Sequence, residues 1–150
     1  MTNERIRPAR AEDAARIAEI EIVNNRLFFY PIFRTDRYFF SELTVPAVIE
    51  YYRREPARIA HTFVYDDGVV KGFVRVNGEE IEKLFVEPTF QNAGIGSTLL
   101  THAIAAGGRR LLALEKNGNA IRLYERFGFH PTAHRQRVND TPEFLVRLER

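Results

Sequence analysis

The chain has 150 residues, 45% of them hydrophobic and 28% charged, which is the size and composition of one globular domain. Twenty-two Lys and Arg against 20 Asp and Glu leave a formal charge of only +2, too little for the electrostatic footprint of a nucleic-acid binder. Cysteine is absent, so disulfides, thiolate metal sites and a thiol nucleophile are excluded.

The first third reads as helical after a short strand over residues 6–7. Asp13 is placed to cap a helix whose apolar positions include Ile17, Ile20 and Val23. Pro31, just after the run Leu27-Phe28-Phe29-Tyr30, is expected to end or break that helix. With Thr44 as cap and Pro46 in the first turn, a second helix runs through Val48, Ile49 and Tyr52 and stops at Pro56. The period then becomes that of strands: 62–65, a turn at Asp66-Asp67-Gly68, 69–76, and, after the hairpin signal Asn77-Gly78, a strand over 80–86 that Pro88 closes. This predicts an antiparallel meander. From Gly94 the period is helical again, with Ile95, Leu99, Leu100, Ala103 and Ile104 on one face until Gly107-Gly108. Leu111-Leu112-Ala113-Leu114 reads as a buried strand, so residues 80–114 form a βαβ unit with parallel strands and a right-handed crossover. A short helix over 120–127, ended by Gly128, and a strand over 144–148 complete the chain.

Chemistry concentrates in Gln91-Asn92-Ala93-Gly94-Ile95-Gly96, between a strand and the N-terminus of an amphipathic helix. Unpaired N–H groups and the positive end of the helix dipole make an anion site there, and the glycines let a phosphate approach closely. It is not a Walker loop, because no Gly-Lys-Ser/Thr follows, nor a dinucleotide fingerprint, because Leu99 stands where the third glycine would be. Taken alone, the segment is equally a tight strand-to-helix turn. A second signature lies after the parallel strand: Asn117-Gly118-Asn119-Ala120-Ile121-Arg122-Leu123-Tyr124-Glu125-Arg126-Phe127-Gly128-Phe129.

Together the two segments resemble the GNAT acetyltransferase superfamily, whose members bind acetyl-CoA through a Q/R-x-x-G-x-G/A loop and carry N-x-x-A-x-x-x-Y-x-x-x-G-F downstream. The resemblance covers residues 62–129. It implies an α/β (α+β) single domain over residues 1–150, with a mixed, mostly antiparallel central sheet, helices on both faces and a βαβ acetyl-CoA-binding unit. It also implies roles. Backbone amides of Gln91, Asn92, Ala93, Gly94, Ile95 and Gly96, continuing into Ser97 and Thr98, would hold the CoA pyrophosphate. The backbone of Leu84, Phe85 and Val86 would pair with the pantetheine arm like an added strand. Asn117 would bond that arm from the other side, and Tyr124 would point at the thioester sulfur.

The reaction sets further demands. A primary ammonium of pKa about 10.4 must lose its proton before attack, costing roughly 4.5 kcal/mol at pH 7 if nothing compensates. A carboxylate helps, directly or through water. Glu80 and Glu82 share strand parity with Leu84 and Val86, and Glu80 sits where several members of the resembled family place the base. A phenol of pKa about 10 protonating a thiolate of about 8.5 works uphill by only about 2 kcal/mol, so Tyr124 is an adequate general acid. Without cysteine, direct transfer in a ternary complex is the economical route, with a strand amide near residues 84–86 stabilising the oxyanion.

Plainer readings stand beside these. Tyr124 can be a packing residue, Glu79, Glu80, Glu82 and Glu87 a solvated strand face, and Phe28-Phe29-Tyr30-Pro31-Ile32-Phe33 with Tyr38-Phe39-Phe40 either core or the wall of an acceptor pocket. His130 and His134 lack a third ligand in a zinc pattern, so no metal is expected. No apolar run approaches the roughly 20 residues of a membrane helix, and the charged first ten residues are unlike a signal peptide, which predicts a cytoplasmic protein without a membrane partner. The leading reading is an acetyl-CoA-dependent N-acetyltransferase of a primary amine on a small molecule or a protein. The alternative is a non-catalytic acyl-CoA-binding or sensing module. Expected partners are acetyl-CoA as cosubstrate and an amine acceptor, with no nucleic acid and with a homodimer left open.

Overall fold

A computed structural model describes residues 3–150. The meander is β2 (Thr62–Asp66), entered from the one-turn helix α4 (Ala57–Ala60), then β3 (Val70–Asn77) and β4 (Glu80–Val86), paired antiparallel, with β1 (Ile6–Pro8) added at its outer edge. α5 (Ile95–Ala105) carries the chain to β5 (Arg110–Leu114), which lies parallel to β4. β6 (His130–Arg137) and β7 (Phe144–Glu149) finish a seven-stranded sheet in the order β1-β2-β3-β4-β5-β7-β6. In the β3–β4 hairpin Asn77 is paired with Glu80, so the two turn residues are Gly78 and Glu79, and Gly78 takes the positive φ of 62° that its lack of a Cβ allows.

Both faces of the sheet are covered, as alternation along β3 requires. Phe73 packs on the side of α1 (Ala14–Asn24) and α3 (Val45–Arg54), with Ile17, Ile20, Val48 and Tyr52. Val74 and Val76 pack on the other side with Leu99, Leu100, Leu111 and Phe129. Fully burying one such aliphatic or aromatic side chain stabilises the fold by roughly 1.5–3 kcal/mol. α6 (Gly118–Arg126) adds Ile121, Leu123 and Tyr124 to that second core from its inner face. Thr44 caps α3 as expected, its hydroxyl accepting from the Ala47 N–H at 3.3 Å.

Five local expectations need correction. Asp13 stands at the start of α1 but does not cap it. Its carboxylate accepts from the Arg10 N–H at 2.7 Å and from the Arg7 guanidinium at 2.8 and 3.0 Å, tying β1 to the helix. The α1 stripe buries Ile22 rather than Val23. Pro31 does not end the helical run: Asn25–Phe29 winds as a π turn, and α2 (Tyr30–Phe33) carries Pro31 in its first turn. The wider winding upstream spares the proline its clash with the preceding turn, and the run stops instead at Arg34, left-handed at φ 56°. Leu112 of the expected buried strand is 38% exposed. The sequence of β6, His-Pro-Thr-Ala-His-Arg-Gln-Arg, presents no apolar face and predicts no strand. β6 is an edge strand, exposed nearly throughout, and exists through its pairing with β7.

One irregularity in β4 matters most for the site. Arg75 pairs with Lys83 but Val76 with Ile81, so β4 holds one extra residue, Glu82, in a bulge. The bulge resets the alternation. Ile81, Leu84 and Val86 all belong to the α5-side core, whereas Lys83 pairs with Glu21 of α1 and Phe85 packs on the α1 side. The parity expected to join Glu80 with Leu84 and Val86 is therefore broken, and Ile81 shares their face instead.

Candidate active site

β4 and β5 pair only at Glu80↔Arg110 and Ile81↔Leu111 and then part. A cleft of about 970 Å³ occupies the gap, walled by β4, the 91–97 loop, α6, β5 and the α1 end with its π turn. Glu87 donates its N–H to Lys71 at 2.8 Å and Phe85 lies opposite Phe73. The antiparallel ladder therefore turns the Phe85 amide toward β3 and the polar backbone groups of Leu84 and Val86 toward the gap. Among these, the Val86 carbonyl is taken: it accepts from the side-chain amides of Asn24 at 2.9 Å and Gln91 at 3.0 Å. Gln91 also donates to the Asn24 side chain at 3.1 Å.

The loop after Gln91 reaches α5 through two left-handed residues, Asn92 at φ 62° and Gly94 at φ 85°. The first helical bond runs from the Thr98 N–H to the Gly94 carbonyl at 3.0 Å, which leaves the amides of Ile95, Gly96 and Ser97 without intrahelical acceptors. A Cβ built at Gly94 would meet nothing within 4 Å, so the space above the helix tip is open. Across the cleft, Asn117 caps α6 by accepting from the Ala120 N–H at 3.4 Å and also lines the cleft. Tyr124, about two turns further along α6, lines the same wall and packs edge-on against Phe129 at 6.2 Å. Burial pushes its phenol up to about 12, so it holds its proton throughout the neutral range.

The structure thus brings Leu84, Phe85, Val86, Gln91, Asn92, Gly94, Gly96, Ser97, Asn117 and Tyr124 to one cleft, with Ala93 and Ile95 in the same loop and helix tip. It does not bring Glu80 there. That carboxylate sits at the closed end of the strands, 2.6 Å from Arg110 Nε and 3.7 Å from Arg147 Nη2. The strand glutamate in the cleft wall is Glu82, 3.6 Å from Arg75 Nε. The aromatic segment divides. Phe28, Phe29, Phe33 and Tyr38 line the cleft, Phe39 is core at 3% exposure, and Tyr30 packs edge-on against Phe40 at 4.8 Å.

The sequence reading gave no role to several residues that line the cleft, among them Glu21 and Asn24 on α1, and Arg122 and Arg126 on α6. The first pair carried a signal. They follow Ile17 and Ile20 at helical spacing, so a polar residue stands twice where an apolar stripe should continue, and both are buried. Glu21 meets Lys83 Nζ at 2.6 Å. The arginines, one helical turn apart, bring positive charge to the α6 wall.

Comparison with known proteins agrees with this architecture. Residues 58–131 match the family described as Acetyltransferase (GNAT) domain. The chain is 35% identical over 78 residues to the peptidyl-lysine N-acetyltransferase YjaB of Salmonella typhimurium, a stretch covering 51% of this chain and 53% of that protein, so the match spans about half the length of that relative. Among solved structures, an N-acetyltransferase from Staphylococcus aureus Mu50 superposes with a TM-score of 0.76 at 17% identity, covering 95% of this chain and 98% of the other. The yncA protein of Salmonella typhimurium, a putative acetyltransferase solved with its cofactor acetyl-CoA, gives 0.67 at 22% identity over 96% and 92%. The sheet with its splayed central strands is the fold of these acetyltransferases, and residues 58–131 carry the match to the GNAT domain.

Proposed function

We propose that this chain is an N-acetyltransferase that moves an acetyl group from acetyl-CoA to a primary amine, with a lysine side chain as the acceptor class to test first. One observation carries the reading: an open strand edge and an amide-bearing helix tip face the same cleft, with Tyr124 on the opposite wall. The peptidyl-lysine activity named for the Salmonella relative supports the acceptor class, and the acetyl-CoA held by the structural neighbour supports the donor.

The residues fit that donor. The amides of Ile95, Gly96 and Ser97 at the α5 tip suit a pyrophosphate, and the open space above Gly94 admits it. Free backbone groups of Leu84 and the Val86 N–H suit an extended amide-bearing arm laid along β4, with the Asn117 side chain reaching it from α6. When bound, acetyl-CoA supplies an acetyl group activated as a thioester. In this reading the Val86 or Leu84 N–H holds the carbonyl oxygen as it gains charge. Tyr124 holds a proton for the departing sulfur. From a phenol at about 12 to a thiolate at about 8.5, that transfer is uphill by about 5 kcal/mol, steeper than for an ordinary tyrosine. Glu82, the β4 carboxylate that lines the cleft, takes the acceptor's proton in this reading, directly or through water. Glu80 instead fastens β4 to β5 and β7.

Thermal unfolding with acetyl-CoA tests the donor site, and release of free CoA with a lysine peptide tests the reaction. At 100 times its Kd the ligand should add about 2.7 kcal/mol of stability. Gly94→Asn, which tolerates a left-handed φ, should retain part of the shift, and Gly94→Asp, which sets a negative charge at the helix tip, should abolish it. No shift at millimolar acetyl-CoA sinks the assignment. A shift without CoA release from any amine leaves a binding module instead.

A further inference from the structure

Glu21 is a charged residue on the buried side of α1, 6% exposed, among a stripe that is otherwise Ile17, Ile20 and Asn24. A carboxylate in such a place requires a cation. Its ionic partner is Lys83 Nζ at 2.6 Å, which reaches α1 because the Glu82 bulge turns residue 83 to that side. The same ammonium lies 5.0 Å from the centre of the Tyr51 ring, and Tyr38 stands nearby, its phenol pushed up by burial first and then by the Glu21 charge. A carboxylate and aromatic faces around a primary ammonium on a flexible alkyl stem form a cradle for an alkylammonium. Lys83 and Glu21 both line the cleft, beside Phe28, Phe29 and Tyr38. The cradle therefore opens onto the space an acceptor must enter.

We propose that Glu21 is the acceptor-recognition residue, its carboxylate receiving the ammonium of the incoming amine, and that Lys83 is the internal cation which keeps this place until the acceptor arrives. The proposal rests on the acetyltransferase reading for its purpose but not for its chemistry. Lysine suits the resident role: its ammonium is a compact point charge on four rotatable carbons and can swing toward solvent while its stem stays on the strand. An acceptor lysine presents the same head group and stem, so the cradle selects primary alkylamines over neutral or anionic acceptors. Glu82, held near Arg75, remains with the proton transfer, so the two acidic residues of this wall have separate duties.

The cradle is tested without catalysis by Lys83→Ala, which leaves the Glu21 charge buried and empties the place of the ammonium. The variant should unfold at a lower temperature than the parent. n-Butylammonium chloride at millimolar concentration should restore much of the loss saturably, and sodium chloride at equal ionic strength should not. In Glu21→Gln/Lys83→Ala the amine should have no such effect. An equal recovery in the double variant, or none in Lys83→Ala, overturns the proposal. Should Lys83→Ala fail to fold, Glu21→Gln decides alone: KM for an N-terminally blocked lysine peptide should rise at least about tenfold, the loss of one charge-assisted hydrogen bond, while kcat and the KM for acetyl-CoA hold. An unchanged peptide KM, or a fall confined to kcat, refutes the assignment. Absence of any acetyl-CoA shift would sink the enzymatic reading and leave the butylammonium result to judge the cradle.

Discussion

Asn24→Ala probes the join between α1, β4 and the 91–97 loop. Asn24 is 5% exposed and its side chain takes part in three hydrogen bonds: to the Ile20 carbonyl at 2.9 Å, to the Val86 carbonyl at 2.9 Å, and from Gln91 at 3.1 Å. Each such bond contributes about 1 kcal/mol net, and alanine's better helix propensity returns roughly 0.5 kcal/mol. No group is wholly orphaned, because Val86 keeps the Gln91 donor, so the steep cost of a bare buried carbonyl is avoided. The expected loss is about 2–3 kcal/mol, read from urea denaturation with an unchanged m value. Because Asn24 and Gln91 serve the same carbonyl, the double variant with Gln91→Ala should depart from additivity by at least about 0.5 kcal/mol. A loss below about 0.5 kcal/mol, or strictly additive effects, would show that this carbonyl does not fasten the loop.

The remaining expectations concern the reaction and the pH response. Tyr124→Phe should lower kcat on the order of 10²-fold with acetyl-CoA affinity unchanged, and unaltered turnover where chemistry limits the rate would leave Tyr124 as a packing residue. Because burial holds the phenol at about 12, an alkaline fall in the parent's kcat near pH 10 that disappears in Tyr124→Phe would contradict the assigned environment. Glu80→Gln should change kcat/KM by less than about threefold and stability by about 1 kcal/mol, its ion pairs being partly exposed, whereas Glu82→Gln should depress kcat/KM most at low pH; the reverse ranking in a pH–rate comparison returns the base to Glu80. The Arg7 guanidinium, then the Arg10 N–H, hold the Asp13 carboxyl below its usual range. That pair's stabilisation is complete above about pH 4 and is lost as pH falls through the depressed value. Asp13→Asn should flatten the acid side of the stability curve, and an identical acid slope in the variant would remove Asp13 from the account.

The meander, the βαβ unit and the helix tip are legible because each rests on local chemistry: β-rich runs between Thr62 and Val86, a turn at Gly78, a glycine-bearing loop before a regular apolar stripe. The parity that would join Glu80 to Leu84 and Val86 fails for an equally local reason. Alternation assumes two residues per repeat, and the extra Glu82 in β4 is set by pairing with β3, a partner that the residues of β4 do not announce. Pro31 misled similarly, since whether a proline ends a helix depends on whether the turn before it can widen. β6 is made by its neighbour rather than by its own pattern. Glu21 and Asn24 were visible as defects in an apolar stripe, but their meaning came only from what stands opposite them, Lys83 in one case and the Val86 carbonyl in the other.

The parting of β4 from β5 also bears on solubility. A strand with unpaired amides invites another chain to add itself, and proteins ordinarily protect such edges at the rim of a sheet. Here the unpaired stretch lies in the interior, between a strand that has only begun to diverge and a wall formed by α6. A polypeptide entering it would need side-chain room on both faces and strand spacing of roughly 4.8 Å on each side, which a wedge that closes at Ile81↔Leu111 does not offer over its length. A slender arm with amides but no side chains, as proposed for the donor, escapes that restriction. The wedge thus works as a sieve, shielding a sticky edge from aggregation while leaving it open to a narrow ligand.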